Sequence, residues 1–181
     1  MLFMRNLTLR RADMLKLNDM TARPFDSMLM RGQSPWNDRR DTERRWGEFT
    51  TEDAYRVAVT FALVRLGWSY EDAGRTVRSN FAELVNVKSD APGDLLFGTF
   101  ITESLPAEEA GVRLHLALVA TETEWFSEMA RMKEVVAADD QLLAFSTVNA
   151  TAVMRRTLGK ADAADLRDDR LVKLAKKVRA L

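Results

Sequence analysis

The spacing of apolar residues changes near residue 86. Before that point they recur every three or four residues, as on one face of a helix, whereas several later segments alternate apolar and polar residues, as in a strand. The change coincides with VKSDAPGD, a segment rich in turn-forming residues. A chain that is helical first and carries strands later is typical of the α+β class. We therefore predict two units, residues 1–86 and residues 87–181.

Four helices are expected in the first unit, because apolar residues keep the helical period and capping residues stand at the ends. The first begins near Thr8 and stops between Asp19 and Thr21. The second, TARPFDSMLMRG, starts from Thr21 as a hydroxyl N-cap and ends at Gly32. The third begins at Thr50 or Thr51 and ends at Gly67, and the fourth begins at Ser69.

The second unit is expected to be a small α/β module with about three strands and a C-terminal helix. DLLFGTFITES and VRLHLALVA predict a hairpin, and QLLAFSTV predicts a third strand. A short helix capped by Asn149 and ended by Gly159 precedes the amphipathic tail helix. The helix before the third strand is expected to bury Trp125, Phe126, Met129, Met132, Val135 and Val136.

The composition indicates a folded chain without thiol chemistry. Of the 181 residues, 46% are hydrophobic and 30% are charged, which lies far from the composition of disordered chains. The absence of cysteine excludes disulfides, thiolate metal sites and cysteine nucleophiles. No signal peptide and no apolar run of roughly 18 residues is apparent, so no membrane span and a cytoplasmic location are expected.

Signals for catalysis are weak throughout the sequence. His115 is the only histidine, and the sequence has no cysteine, so no second histidine or cysteine is present to complete a metal site with it. The adjacent acidic pairs, such as Glu108 and Glu109, fall in turns or helix ends where acids are common. No glycine-rich phosphate loop or nucleophile elbow is present. We expect no catalytic residue, no metal and no cofactor.

Positive charge is concentrated near the amino terminus. Residues 1–50 hold ten Lys and Arg against seven Asp and Glu, whereas residues 51–159 hold ten against sixteen. Contact with phosphates depends on a local cationic face and not on the net charge of the whole chain. A neutral total is therefore compatible with binding to nucleic acid.

Two short helices, an arginine-rich loop and a longer helix together resemble the MerR-like winged helix-turn-helix family. The resemblance runs from about Leu7 to Leu84, and RRWGEFTTEDAYRVAVTFALVRLGWSYEDAGRTV carries most of it. The chain has FDSMLMRGQSPW where typical members have an aromatic pair followed by Gly-Leu-Leu, and it lacks their long dimerising helix. It is therefore more similar to the shortened members of phages and mobile elements. The resemblance implies an N-terminal winged helix-turn-helix, mainly α, over residues 1–86.

The resemblance also implies which residues contact DNA. The second helix would enter the major groove, and the loop after it, the wing, would bring guanidinium groups to phosphates or a narrow minor groove. Trp46 would brace the wing or pack on a sugar. The alternative is a solvated loop whose arginines pair with Asp38, Asp41 and Glu43. The implied DNA-binding residues are Arg10, Arg11, Thr21, Arg23, Ser27, Arg31, Arg39, Arg40, Arg44, Arg45 and Trp46.

The function expected from these features is sequence-specific binding of double-stranded DNA by a bacterial or phage transcriptional regulator. A homodimer formed through residues 87–181 is expected, because one short helix buries little DNA surface and paired half-sites are the usual remedy. One alternative is an excisionase-like architectural accessory protein, and another is an interaction adaptor that no longer binds DNA. A small-molecule effector is not indicated, since the Trp and Met stripe of residues 121–138 is better explained by core packing.

Overall fold

The protein is an α+β protein, as predicted. The computed structural model describes residues 7–36, 47–87, 90–104, 113–135 and 140–181. These residues form seven α-helices and a three-stranded antiparallel sheet. In chain order the elements are α1 (Arg11–Asn18), α2 (Ala22–Met30), α3 (Thr51–Arg65), α4 (Tyr70–Val85), β1 (Leu95–Ser104), β2 (Arg113–Thr121), α5 (Trp125–Val135), β3 (Asp140–Asn149), α6 (Ala150–Ala163) and α7 (Asp169–Lys177).

The sheet has the order β2-β1-β3, so β1 is the central strand. The predicted hairpin is confirmed, because β1 and β2 pair antiparallel with Leu95 opposite Thr121. Strand β3 pairs with the other edge of β1, where Leu96 lies opposite Asn149. The two faces of the sheet are both apolar: Phe97 lies in the main core, whereas Phe100 belongs to a smaller cluster beneath α5.

A single main core extends across the predicted boundary between the two units. It contains Met14 and Leu63 from the first unit together with Phe97, Met154 and Leu171 from the second. Helix α3 contacts both α6 and α7, and α1 contacts α6. Residue 86 therefore marks the point at which helices give way to the sheet, while the apolar core is continuous on both sides of it.

Buried hydrogen bonds connect the same two parts of the chain. The hydroxyl of Tyr55 on α3 donates to the carbonyl oxygen of Ala150 at 3.0 Å. The indole Nε1 of Trp68 donates to Oγ of Ser146 on β3 at 2.8 Å. Both donors lie on aromatic side chains that are almost fully buried. These bonds satisfy polar groups that would otherwise be costly to bury.

Three details differ from the expectations. Helix α1 begins at Arg11 and not near Thr8, because Leu9 forms an isolated antiparallel bridge with Phe49. Helix α6 continues past Gly159 to Ala163, because Gly159 keeps a helical backbone and does not take the positive φ that ends a helix. Phe126 was expected to be buried on α5, but it is 81% exposed.

The described residues show no metal site and no membrane-spanning helix. No three His, Asp or Glu side chains among them converge as metal ligands would. None of their helices is both long enough and apolar enough to cross a bilayer.

Candidate nucleic-acid interface

Helix α2 is amphipathic and is attached to the protein by one face. Phe25 and Met28 are fully or almost fully buried. The ring of Phe25 meets Phe49 edge-on, with the centroids 5.6 Å apart. Because these anchors hold the inner face, the opposite face of α2 points away from the core.

The outer face of α2 is exposed and forms a shallow depression. Arg23 and Arg31 are exposed, Ser27 is half-buried and Met30 is 82% exposed. Together with Phe126, Met30 is among the most exposed large apolar side chains of the described residues. The depression is lined by Ala22, Arg23, Asp26, Ser27, Met30 and Arg31.

Arg11 on α1 is paired with Asp26 on α2. Its Nε donates to Oδ1 at 2.7 Å and its Nη2 donates to Oδ2 at 2.5 Å, which is the bidentate geometry of a strong ion pair. The hydrogen bonds from Arg11 lower the pKa of the Asp26 carboxyl below its ordinary value. The pair links the exposed faces of α1 and α2, and it offsets the charge of Arg11.

Thr21 occupies the N-cap position of α2 without capping it through its side chain. Its backbone is extended, as at an N-cap, but its hydroxyl makes no capping bond. The residue three positions on is Pro24, which has no N–H to donate to that hydroxyl. The expected hydroxyl cap is therefore absent, and the side chain of Thr21 is exposed at the start of the helix.

Arg10 lies beside the bridge that joins the amino-terminal segment to residue 49. Leu9 and Phe49 exchange two backbone hydrogen bonds, of 2.7 and 2.9 Å. The exposed guanidinium of Arg10 lies 3.8 Å from the carboxylate of Glu48. The bridge places the residues just before α1 beside the residues just before α3.

The predicted wing residues Arg39, Arg40, Arg44, Arg45 and Trp46 lie outside the described residues. Trp36 and Phe49, on either side of that segment, belong to the main core. Trp36 and Phe49 pack with their ring centroids 5.8 Å apart, so the chain leaves and returns at neighbouring points. These points lie at the inner side of α2, since Phe49 also packs on Phe25.

Two residues that the sequence did not single out hold the chain just before residue 37. Arg56 on α3 donates to the carbonyl oxygen of Pro35 at 3.2 Å, pairs with Glu52 at 2.8 Å, and stacks 3.7 Å above the ring of Phe81. Gly74 on α4 lies against the backbone of Gln33, where a side chain would not fit. The spacing of Glu52 and Arg56 indicates an ion pair, but nothing local indicates the contact with Pro35.

The structure thus brings part of the predicted site together. Arg23, Ser27 and Arg31 share the outer face of α2. Arg11 reaches the same face through Asp26, and Thr21 lies at its amino-terminal end. Arg10 lies apart from them, at the bridge to residue 49.

Comparison with known proteins finds no match to any family model, curated protein or solved structure.

Proposed function

We propose that the protein binds double-stranded DNA through a winged helix-turn-helix formed by α1, α2 and the arginine-rich segment at residues 37–46. The single observation that carries this proposal is the outer face of α2, which is exposed and bears two arginines while the inner face is anchored by Phe25 and Met28. An exposed, rigidly held helix of this length fits the width of the major groove.

The exposed side chains suit distinct contacts with DNA. Arg23 lies in the first turn of α2, the part of a recognition helix that reads base edges, and Ser27 lies about one turn further along the same face. Arg31 lies at its carboxyl end, where a guanidinium suits a phosphate oxygen. Met30 offers an apolar contact to a thymine methyl group. Arg11 is paired with Asp26 and therefore positions the helix more than it adds to the cationic face.

A transcriptional regulator acting as a homodimer is the function we favour. One α2 helix offers too little surface for a specific site, so two copies would bind paired half-sites. An excisionase-like accessory protein would share the same surface, but it would load on direct repeats and bend them. No single contact in the structure favours that second function over the first.

Selection from a random duplex library, followed by binding at several salt concentrations, tests the proposal. Replacing Arg23 and Arg31 together with alanine should weaken binding: the loss of Arg31, the phosphate contact, should flatten the log-log salt slope by about one, and the loss of Arg23, the base contact, should relax the sequence preference. The matched control replaces Arg131 and Arg170, exposed arginines on α5 and α7, and should leave the slope unchanged. Replacing Arg44 and Arg45 with alanine tests the wing in the same way.

The selected sequences separate the alternatives. A regulator should recover one short, roughly palindromic site, whereas an excisionase-like protein should recover direct repeats. An adaptor should give no shift on any duplex at low salt. That result, or identical slopes for the α2 double variant and its control, would remove α2 as the DNA-binding element.

A further inference from the structure

A small cavity lies between α1, α3 and α6, and none of the residues that line the outer face of α2 takes part in it. Its volume is about 40 Å³, which is room for a few water-sized groups. Apolar side chains from all three helices form part of its wall, among them Leu17, Phe61 and Val153. The rest of the lining is polar, and it is supplied by Asn18, Arg65, Arg156, Thr157 and Lys160.

The polar part of the lining is strongly cationic. The cations are Arg65, Arg156 and Lys160. Lys160 forms an ion pair with Asp19, and among the described residues no other carboxylate is seen to interact with these three cations. The hydrogen bond from Lys160 lowers the pKa of Asp19, and the nearby charges of Arg156 and Arg65 lower it further. Neither arginine has an ion pair within the part of the chain that the structure describes. Three cations against one carboxylate leave two positive charges uncompensated.

A buried acceptor beside these cations also lacks a partner. Asn18 is 7% exposed, and its Nδ2 donates to the carbonyl oxygen of Met14 at 3.0 Å. Its Oδ1 atom is shielded from solvent and has no hydrogen-bond partner among the described residues. Buried polar atoms in folded proteins are nearly always satisfied by protein, water or ligand. A donor that enters the cavity and meets a slightly rotated Asn18 amide would satisfy this one.

We propose that the cavity binds the phosphoryl group of a small phosphorylated molecule. The group would lie between the guanidiniums of Arg65 and Arg156 and the ammonium of Lys160, and an O–H donor of the ligand would reach Oδ1 of Asn18. Two uncompensated positive charges match a phosphate dianion better than a single carboxylate, and guanidiniums bind phosphate oxygens in bidentate fashion. The proposal does not depend on DNA binding, since it uses none of the residues on α2.

Calorimetric titration of the full chain with inorganic phosphate and with sulfate, at constant ionic strength, tests both parts of the proposal. The two anions share shape and charge class, but at neutral pH only phosphate keeps a P–OH donor. Phosphate is expected to bind in the millimolar range or tighter, and about tenfold more tightly than sulfate, because only phosphate can satisfy the buried acceptor. Absence of phosphate binding at tens of millimolar, or equal affinities for both anions, would overturn it.

Three variants assign the effect to the cavity. Arg156→Gln should weaken phosphate binding about tenfold, whereas Arg170→Gln, the same change at an exposed position on α7, should have no effect. Asn18→Leu should remove the preference for phosphate over sulfate while leaving sulfate binding intact. Arg156→Gln should also leave the affinity for duplex DNA unchanged. If it weakened DNA binding and spared phosphate binding, the cations would belong to a nucleic-acid surface and the small-ligand site would be disproved.

Discussion

The hydroxyl of Thr51 donates to Oδ1 of Asp168 at 2.7 Å and so joins the first residue of α3 to the N-cap of α7. The same oxygen accepts the backbone N–H of Leu171, and the other oxygen accepts the backbone N–H of Leu7. Asp168 is only 3% exposed. One buried carboxylate therefore accepts hydrogen bonds from three separate segments, and two of them, at residues 7 and 51, lie far from Asp168 in the sequence.

Replacing Asp168 with alanine should reduce the free energy of unfolding by about 3 kcal/mol, since it removes an N-cap and leaves buried donors unsatisfied. Asp169→Ala is the matched control, because that residue follows the cap and should cost less than about 1 kcal/mol. Urea denaturation of both variants measures the difference. Equal midpoints would show that the buried carboxylate adds nothing beyond its charge.

Replacing a glycine with alanine should lower the stability of the protein in one helix and raise it in another. Gly74→Ala places a methyl group against the carbonyl of Gln33, where the main chain cannot easily yield, so it should cost about 1–3 kcal/mol. Gly159→Ala meets nothing within 4 Å in the middle of α6 and should stabilise the protein by roughly 0.4–1 kcal/mol. Thermal unfolding of the two variants tests the pair. A stabilised Gly74→Ala variant would contradict the contact between α4 and the residues before the wing.

A third glycine supports the smaller cluster. The indole of Trp125 lies directly over Gly98 on β1, and a Cβ there would come within 2.9 Å of Cζ2. Gly98→Ala should therefore displace Trp125, change its fluorescence and cost about 1–3 kcal/mol. Combining it with Trp125→Leu should cost less than the sum of the two single changes, because the double variant removes the clash. Strict additivity would show that the two residues do not touch.

The ion pair between Arg11 and Asp26 should make the stability of the protein depend on pH at acidic values. The Asp26 carboxyl should titrate below 3.8, its ordinary value, and Arg11→Gln should return its pKa towards that value. Because the folded pKa is depressed, the pair's contribution to stability is complete above 3.8 and is lost as the pH falls through the folded pKa. Carboxyl carbon NMR follows the titration directly. An unchanged pKa in the variant would disprove the pairing in solution.

The sequence predicted the elements whose signals are local. The capping of α3 is an example: Thr50 and Asp53 hydrogen-bond each other at its start, as Thr-Thr-Glu-Asp indicated. Two of the predictions that failed depended on distant residues. Leu9 leaves the helical pattern because it pairs with Phe49, and Phe126 is exposed because α5 covers the sheet mainly through Trp125.

The exposed face of the candidate interface could be predicted from the sequence, but its contacts with other helices could not. The helical spacing of Phe25 and Met28 puts both on the buried face of α2, and the same spacing puts Arg23 on the opposite face. Pairing between Arg11 and Asp26 could not be read from the sequence, because it depends on how two helices cross. The contact from Arg56 to Pro35 is likewise a product of tertiary packing.

The continuity of the core across residue 86 has a consequence for synthesis on the ribosome. Helix α1 packs against α6, and α3 packs against both α6 and α7, so part of the apolar surface of each early helix is covered by segments that are translated later. During elongation, that part of the surface has no native partner until α6 and α7 have left the exit tunnel. It is therefore a natural target for a holding chaperone.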